Sequence, residues 1–453
     1  GGLVDLQEPL IAGSLPGAPR AEIRVEGVSE SKGLVGSTLK LRADFDAATI
    51  GDDAPAQLDV VGGGQVRVPV GSLVLADSTD AAGSTMTVEG MATLGDERLR
   101  STVEIGSNLE IGPGGAATVT LDEGGLVRVH RVTQVGEADG DAVARLLMTG
   151  GTLHTESLTV PGRHALAFRQ DLDDGAIIVD GGSLSFDPDG STSFHIDGAG
   201  ADAHVTLEMR GDSFANIDNE GQRVIVGNGA RGTLTVTEAS SFATQDMVVG
   251  FVEQAHGDIT VSGVTDPGGD APLRQSTLSI AGPGVDDTAE DFVVGRQGRA
   301  ELTIEGGGKV DVQENMRVAR QIGSVGDVVV SGLVVDEIAG KTAASTLEVG
   351  GKLFVAHEPG DGLAPAAGGD GSLTILNGAK VVVENETIVG APLADRATLG
   401  IEGGTLETQG LDVNSTFTFA GGTLHLAGGV LRGFRGSDFE VDDELGETLR
   451  LSQ

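Results

Sequence analysis

Apolar and polar residues alternate along this chain in short bursts, each closed by glycine or an Asx-type turn, and the bursts come in sets of three. Leu234-Thr235-Val236 is followed by Phe242 and then by Met247-Val248-Val249-Gly250. Leu302-Thr303-Ile304 is followed, across Glu305-Gly306-Gly307-Gly308, by Val310-Asp311-Val312 and then by Met316-Arg317-Val318. Leu373-Thr374-Ile375 is followed, across Asn377-Gly378, by Val381-Val382-Val383 and then by Ile388-Val389-Gly390. Alternation with a period of two predicts strands, and the absence of any 3.6-residue period predicts no helix.

The opening strand of the set recurs at Leu234, Ile259, Leu278, Leu302, Val328, Leu347, Leu373, Leu399 and Leu424, in steps of 19 to 26 residues. A looser version runs upstream through Leu58-Asp59-Val60, Met86-Thr87-Val88, Val103-Glu104-Ile105, Val119-Thr120-Leu121 and Val205-Thr206-Leu207. Read as one coil per step, this predicts an all-β, right-handed parallel β-helix, a β-solenoid with three short strands per coil; the handedness follows the general preference of parallel crossovers. No coil can bury its apolar face alone, so stacking at about 4.8 Å must build the core, giving about 19 coils and a rod of roughly 90 Å. Phe242, Phe292 and Phe354 are expected inside, and Thr235, Thr303, Asp311 and Thr374 outside. A propeller or sandwich suits the pattern less well, because hairpins favour two-residue turns and three strands per period fit four-stranded blades poorly.

The periodicity divides the chain into three parts. Residues 1–20, with Pro9, Pro16, Pro19 and the apolar Leu3, Val4 and Leu6, read as an extended arm. Residues 21–433 read as the solenoid, irregular to about 230 and regular over 232–430, with 140–230 open to being long-looped coils or an inserted lobe. Residues 434–453 break the repeat and are expected to form a cap or tail.

Composition removes several functions. The 453 residues include no Cys, Trp or Tyr and only 13 Phe, so disulfides, thiolate metal sites, Cys nucleophiles and aromatic sugar platforms are excluded. The net charge is −39, from 68 acidic and 29 basic residues, which repels nucleic acid and anionic membranes and makes divalent cations the natural counterions. No basic cluster is visible along the sequence to offset that field. There is no apolar run long enough for a membrane helix, and the opening Gly1-Gly2-Leu3 reads as a mature or trimmed fragment.

The run from Gly371 to Val383, followed by Val389-Gly390, resembles the repeat of autotransporter-type passengers and PEP-CTERM-associated surface proteins. The resemblance covers 232–430 well and the first half loosely. It implies secretion and a surface-exposed parallel β-helix, and it brings no catalytic residues.

Candidate chemistry is sparse. Asp187-Pro188-Asp189-Gly190-Ser191 is a partial calcium loop, and with Asp171 and Asp173 nearby it makes Asp187, Asp189, Asp171 and Asp173 the calcium candidates. Asp171, Asp173 and Asp174, and separately Asp52 with Asp53, are the candidates for carboxylate acid/base chemistry, and neighbouring Asp residues are expected in so acidic a chain. The eight His residues lack zinc spacing, and neither a serine elbow nor a phosphate loop is present. Arg210-Gly211-Asp212 matches an integrin-binding tripeptide, at a frequency that composition alone supplies.

The sequence therefore points to a non-enzymatic bacterial protein of the cell surface or exterior that requires no cofactor. The expected role is a subunit of a surface layer, matrix or filament that self-associates through its termini. An adhesin or passenger stalk meeting a surface polysaccharide or host ligand is the alternative, and a carbohydrate-active β-helix enzyme is the alternative of another class.

Overall fold

The structure, a computed structural model, describes residues 2–6, 10–29, 35–41, 47–94, 96–137, 144–161, 172–187, 193–197, 203–217, 223–269, 271–281, 292–336, 340–358, 366–367, 369–390, 396–427, 430–433 and 448–452. Among them there is no α-helix, only one 3₁₀ turn at Thr79–Ala81, and strand pairing is parallel apart from five short hairpins and one isolated bridge. The chain is a parallel β-helix. It divides into two compact units, Gly1–Thr192 with Ala203–Glu208, and Ser193–Asp202 with Met209–Gln453.

Each coil presents three faces. In the second unit the first face carries Arg231–Val236, His256–Ser262, Arg299–Glu305, Val325–Ser331 and Asp370–Leu376, stacked in register so that Leu234, Ile259, Leu302, Val328 and Leu373 form one interior column. The second face stacks Ser241–Thr244, Thr277–Ile280, Lys309–Val312 and Thr346–Val349. The third stacks Val224–Val226, Met247–Val249, Phe292–Val294, Met316–Val318 and Leu353–Val355. Alternation decides which side chains enter: Leu234, Phe242, Leu302, Val310 and Leu373 are fully buried, and each such side chain contributes about 1.5–3 kcal/mol. Thr235, Thr260, Thr303 and Thr374 line up on the outside, as the alternation requires.

The column order corrects the simple count of coils. Leu278, Leu347 and Leu424 do not lie on the first face; they pair with Phe242, Val310 and Leu406 on the second. Hairpins at Val264–Thr265 with Arg274–Gln275, and at Leu333–Asp336 with Lys341–Ala344, are inserted between the first and second faces. A 19-residue step is therefore a passage between faces, indistinguishable in pattern from a coil because all faces share the same alternation. Phe354 is also displaced from its expected interior place: it occupies the outward column with Arg317, whose guanidinium lies 4.9 Å from the ring centre.

The N-terminal segment differs from expectation. Leu3–Leu6 is not an arm outside the coils but a strand of the terminal rung, paired in parallel with Thr38–Leu41, and Ile11–Ala12 pairs likewise with Ala48–Ile50. Pro16 and Pro19 lie between Ile11–Ala12 and the next strand, Ala21–Glu26. Residues 434–447 lie outside the described residues, and Thr448–Ser452 adds another parallel strand to Thr423–Ala427.

The first unit repeats the plan of the second. Its first face carries Ala21–Glu26, Ala56–Val61, Ser84–Glu89 and Ala117–Asp122. Hairpins follow the first and third of these strands, at Val28–Ser29 with Val35–Gly36 and at Met91–Leu94 with Glu97–Arg100. Tight glycine turns follow the other two. The second unit has the same order from His256 onward: hairpin, Gly306-Gly307-Gly308 turn, hairpin, Asn377-Gly378 turn. Backbone angles repeat as well, with φ of +55° and +84° at Gly62 and Gly63 against +55° and +82° at Gly306 and Gly307. Downstream in each unit a long strand bends from the second face to the third at a bulge, Leu126–Val135 and Lys380–Val389. Buried threonine pairs satisfy one another at those bends, Thr133 to Thr155 at 3.0 Å and Thr387 to Thr408 at 3.2 Å.

Candidate functional site

Three features of the described surface could engage a partner: the terminal rung, and one groove on the second face of each unit.

The rung that begins at Leu3 exposes apolar positions that the rung stacked on it buries. Val4 pairs with Leu39 and so stands at a core position, yet it is 55% exposed where Leu39 is 8%. Among the described residues Leu3–Leu6, Ile11–Ala12 and Ala21–Glu26 each pair on one side only. Leu3, Ile11 and Leu15 add further exposed apolar surface. A row of strand edges beside unsatisfied apolar positions is a template for another parallel strand.

The groove of the first unit encloses about 730 Å³ and crosses five successive rungs, through Leu3, Thr38 and Lys40, Gln65 and Arg67, Glu104, and His130. Pairing places Asp5, Lys40, Arg67 and Glu104 in one outward column. Lys40 Nζ is 3.4 Å from Asp5, Arg67 Nη2 donates to Gln65 at 3.3 Å, and Arg67 Nε and His130 Nε2 stand 3.9 and 3.4 Å from Glu104. Lys40, Arg67 and His130 lie far apart along the chain, and coil register assembles them. Two basic side chains thus meet in one groove, each beside a carboxylate.

The groove of the second unit, about 500 Å³, is acidic, lined by Asp311, Glu348 and Glu384 with Gln313 and Gly350. Lys309 bridges to Glu348 at 2.7 Å.

Of the candidates singled out in the sequence, the calcium set lies outside what the structure describes. Asp171 and Asp189 lie outside the described residues, as do the side chains of Asp173 and Asp187. Among the described residues no three His, Asp or Glu side chains form a metal-holding group. Asp52 and Asp53 sit in a turn fixed by backbone bonds to Gly51 and Gly13 neighbours, with Asp53 N donating to Gly13 O at 2.8 Å. Partial desolvation, then the adjacent Asp53 and Asp77, raise the Asp52 carboxyl above its ordinary value. Asp212 of the Arg-Gly-Asp tripeptide is engaged by Arg274, whose Nη1 and Nη2 donate to its two carboxylate oxygens.

Comparison with protein families, with curated proteins and with solved structures finds no match.

Proposed function

We propose that this chain is a structural, self-associating β-solenoid of the bacterial cell exterior, a subunit of a surface layer, matrix or filament that grows end on end. The observation that carries the reading is Val4, a core-position residue left half exposed on a strand that pairs on one side only among the described residues. A second copy offering its own parallel strand would complete the ladder of Leu3–Leu6 and cover Val4, at about 1.5–3 kcal/mol for each apolar side chain buried. An acidic, cysteine-free surface suits an exterior setting in which stacking supplies the stability. The net charge of −39 opposes lateral clumping, since like-charged flanks repel.

Sedimentation velocity and electron microscopy of the purified chain test this. End-to-end species are expected for the parent chain and their loss for Val4→Asp, with Ile322→Asp, at a 79% exposed position elsewhere, retaining them. A parent chain that stays monomeric at high concentration, or a Val4→Asp variant that assembles equally well, would overturn the proposal. Substitution is preferable to deleting residues 1–20, because deletion removes the terminal rung and exposes the next one.

A further inference from the structure

The two grooves are the same place in two copies of one plan. Counting from the glycine turns Gly62-Gly63-Gly64 and Gly306-Gly307-Gly308, Arg67 corresponds to Asp311 and Pro69 to Gln313. Counting from the buried corner serines Ser101 and Ser345, Glu104 corresponds to Glu348 and Gly106 to Gly350. On the bent strands, His130 corresponds to Glu384. The glycines even leave the same opening: a Cβ on Gly106 would lie 2.2 Å from the Pro69 carbonyl oxygen, and one on Gly350 2.2 Å from that of Gln313.

The scaffold is kept, but two acidic positions of the second unit are not acidic in the first, and Lys309 of the second unit stands where the first has Gln65. Glu104 and Glu348 are common to both, whereas Arg67 and His130 replace two carboxylates. In a chain of net charge −39 an outward acid is the ordinary occupant, and the second unit keeps it. The turn, the strand and the opening are alike in both units, so the fold does not require the difference. We infer that the first-unit groove is a binding site for an extended, carboxylate-bearing oligosaccharide, held through Lys40 and Arg67.

Several properties of the groove define that ligand. It spans five rungs at about 4.8 Å each, so an unbranched chain can lie along it and meet Lys40 and Arg67 at successive levels. Its volume falls in the range of pre-formed ligand clefts, roughly 300–1,000 Å³. The contacts to Glu104, at 3.9 and 3.4 Å, are longer than the roughly 2.7–2.9 Å of a well-made charge-assisted bond, so an incoming carboxylate can compete for the Arg67 fork. Leu3, Val35 and Pro69 offer apolar patches to ring faces, while Thr38 and Gln65 offer a hydroxyl and an amide to sugar hydroxyls. This mixture of apolar patches, hydroxyl and amide suits the ring faces and hydroxyls of a uronate chain, which an acidic peptide lacks.

Titration calorimetry of the full chain with oligogalacturonate at low salt tests the site. Saturable binding near one per chain is expected, with no signal from the uncharged galactose oligomer. Lys40→Ala with Arg67→Gln should weaken it by at least about tenfold, while Asp311→Asn with Glu384→Gln leaves it unchanged. Ser279→Lys with Asp311→Arg and Glu384→His, which places counterparts of Lys40, Arg67 and His130 in the second unit, should raise the stoichiometry towards two and guards against a variant that merely misfolds. Absence of saturable binding, equal binding of the uncharged oligomer, tighter binding of an oligoglutamate, or full affinity after Lys40→Ala with Arg67→Gln would each overturn the inference.

Discussion

Gly63 and Gly307 are one turn made twice, each at a positive φ and each roofed by hairpins from the neighbouring coils. A methyl group on Gly63 would stand 2.8 Å from Val28 Cγ1 and 3.0 Å from Ala92 Cβ, and one on Gly307 would stand 2.5 Å from Val264 Cγ1. Glycine is needed here both for the left-handed backbone and for the absence of Cβ. Gly63→Ala and Gly307→Ala should each cost about 1–3 kcal/mol in denaturant unfolding. Gly340→Ala, at φ +64° with open space around it, should cost less, because only the backbone term applies. Equal losses at Gly307 and Gly340 would show that the hairpins do not clamp the turn.

The same corners depend on buried hydroxyls. Ser101 Oγ accepts from Gly63 N at 3.0 Å and Ser345 Oγ from Gly307 N at 3.0 Å, and both serines are fully buried. Ser345→Ala would leave a buried N–H without its acceptor, a loss of about 1–3 kcal/mol. Thermal melts of Ser345→Ala and Ser101→Ala should fall together, each well below a surface change such as Ser331→Ala. A melting temperature unchanged in Ser345→Ala would mean that water takes over the acceptor role.

Much of the fold was legible because strand alternation is local: Leu234-Thr235-Val236 and Leu302-Thr303-Ile304 reveal period two without any knowledge of neighbours. Which face a strand occupies is not local. Leu278 and Leu302 carry the same pattern, and only the pairing of Leu278 with Phe242 and Val310 separates them. The groove of the first unit was hidden for a similar reason, since Lys40, Arg67 and His130 meet only through coil register. A trace of it was available in Gly62-Gly63-Gly64-Gln65-Val66-Arg67-Val68 against Gly306-Gly307-Gly308-Lys309-Val310-Asp311-Val312, where one outward position changes sign. The terminal rung was masked by its prolines, which signal extended chain and hide that Leu3–Leu6 stacks on Thr38–Leu41.

The Arg-Gly-Asp tripeptide should be inert as a receptor ligand. Both oxygens of Asp212 accept from Arg274, and Gly211 N donates to Glu238 at 3.2 Å, which holds the tripeptide on the hairpin side of its own unit. The immobilised protein should capture no integrin in a divalent-cation buffer. Arg274→Ala should change stability by no more than about 1 kcal/mol, because both partners of this pair are half exposed. Integrin capture by the parent chain would contradict this assignment.

His357 gives the stability a dependence on pH whose sign can be stated. Burial, with a further contribution from Arg317, holds its pKa below the ordinary 6.5 against the opposing effects of a backbone bond at Gly390 and the charge of Asp412. The folded state therefore prefers the neutral ring, which stacks on Phe354 at 5.8 Å between centres. The stabilisation is complete above the unfolded-state pKa and is lost as pH falls through 6.5 towards the lower folded value. His357→Phe keeps a ring against Phe354 and removes the titration. In urea unfolding at pH 7.5 and 5.5, the parent should lose stability relative to His357→Phe at the lower pH, and a gap that stays constant between the two would show that His357 does not titrate against folding.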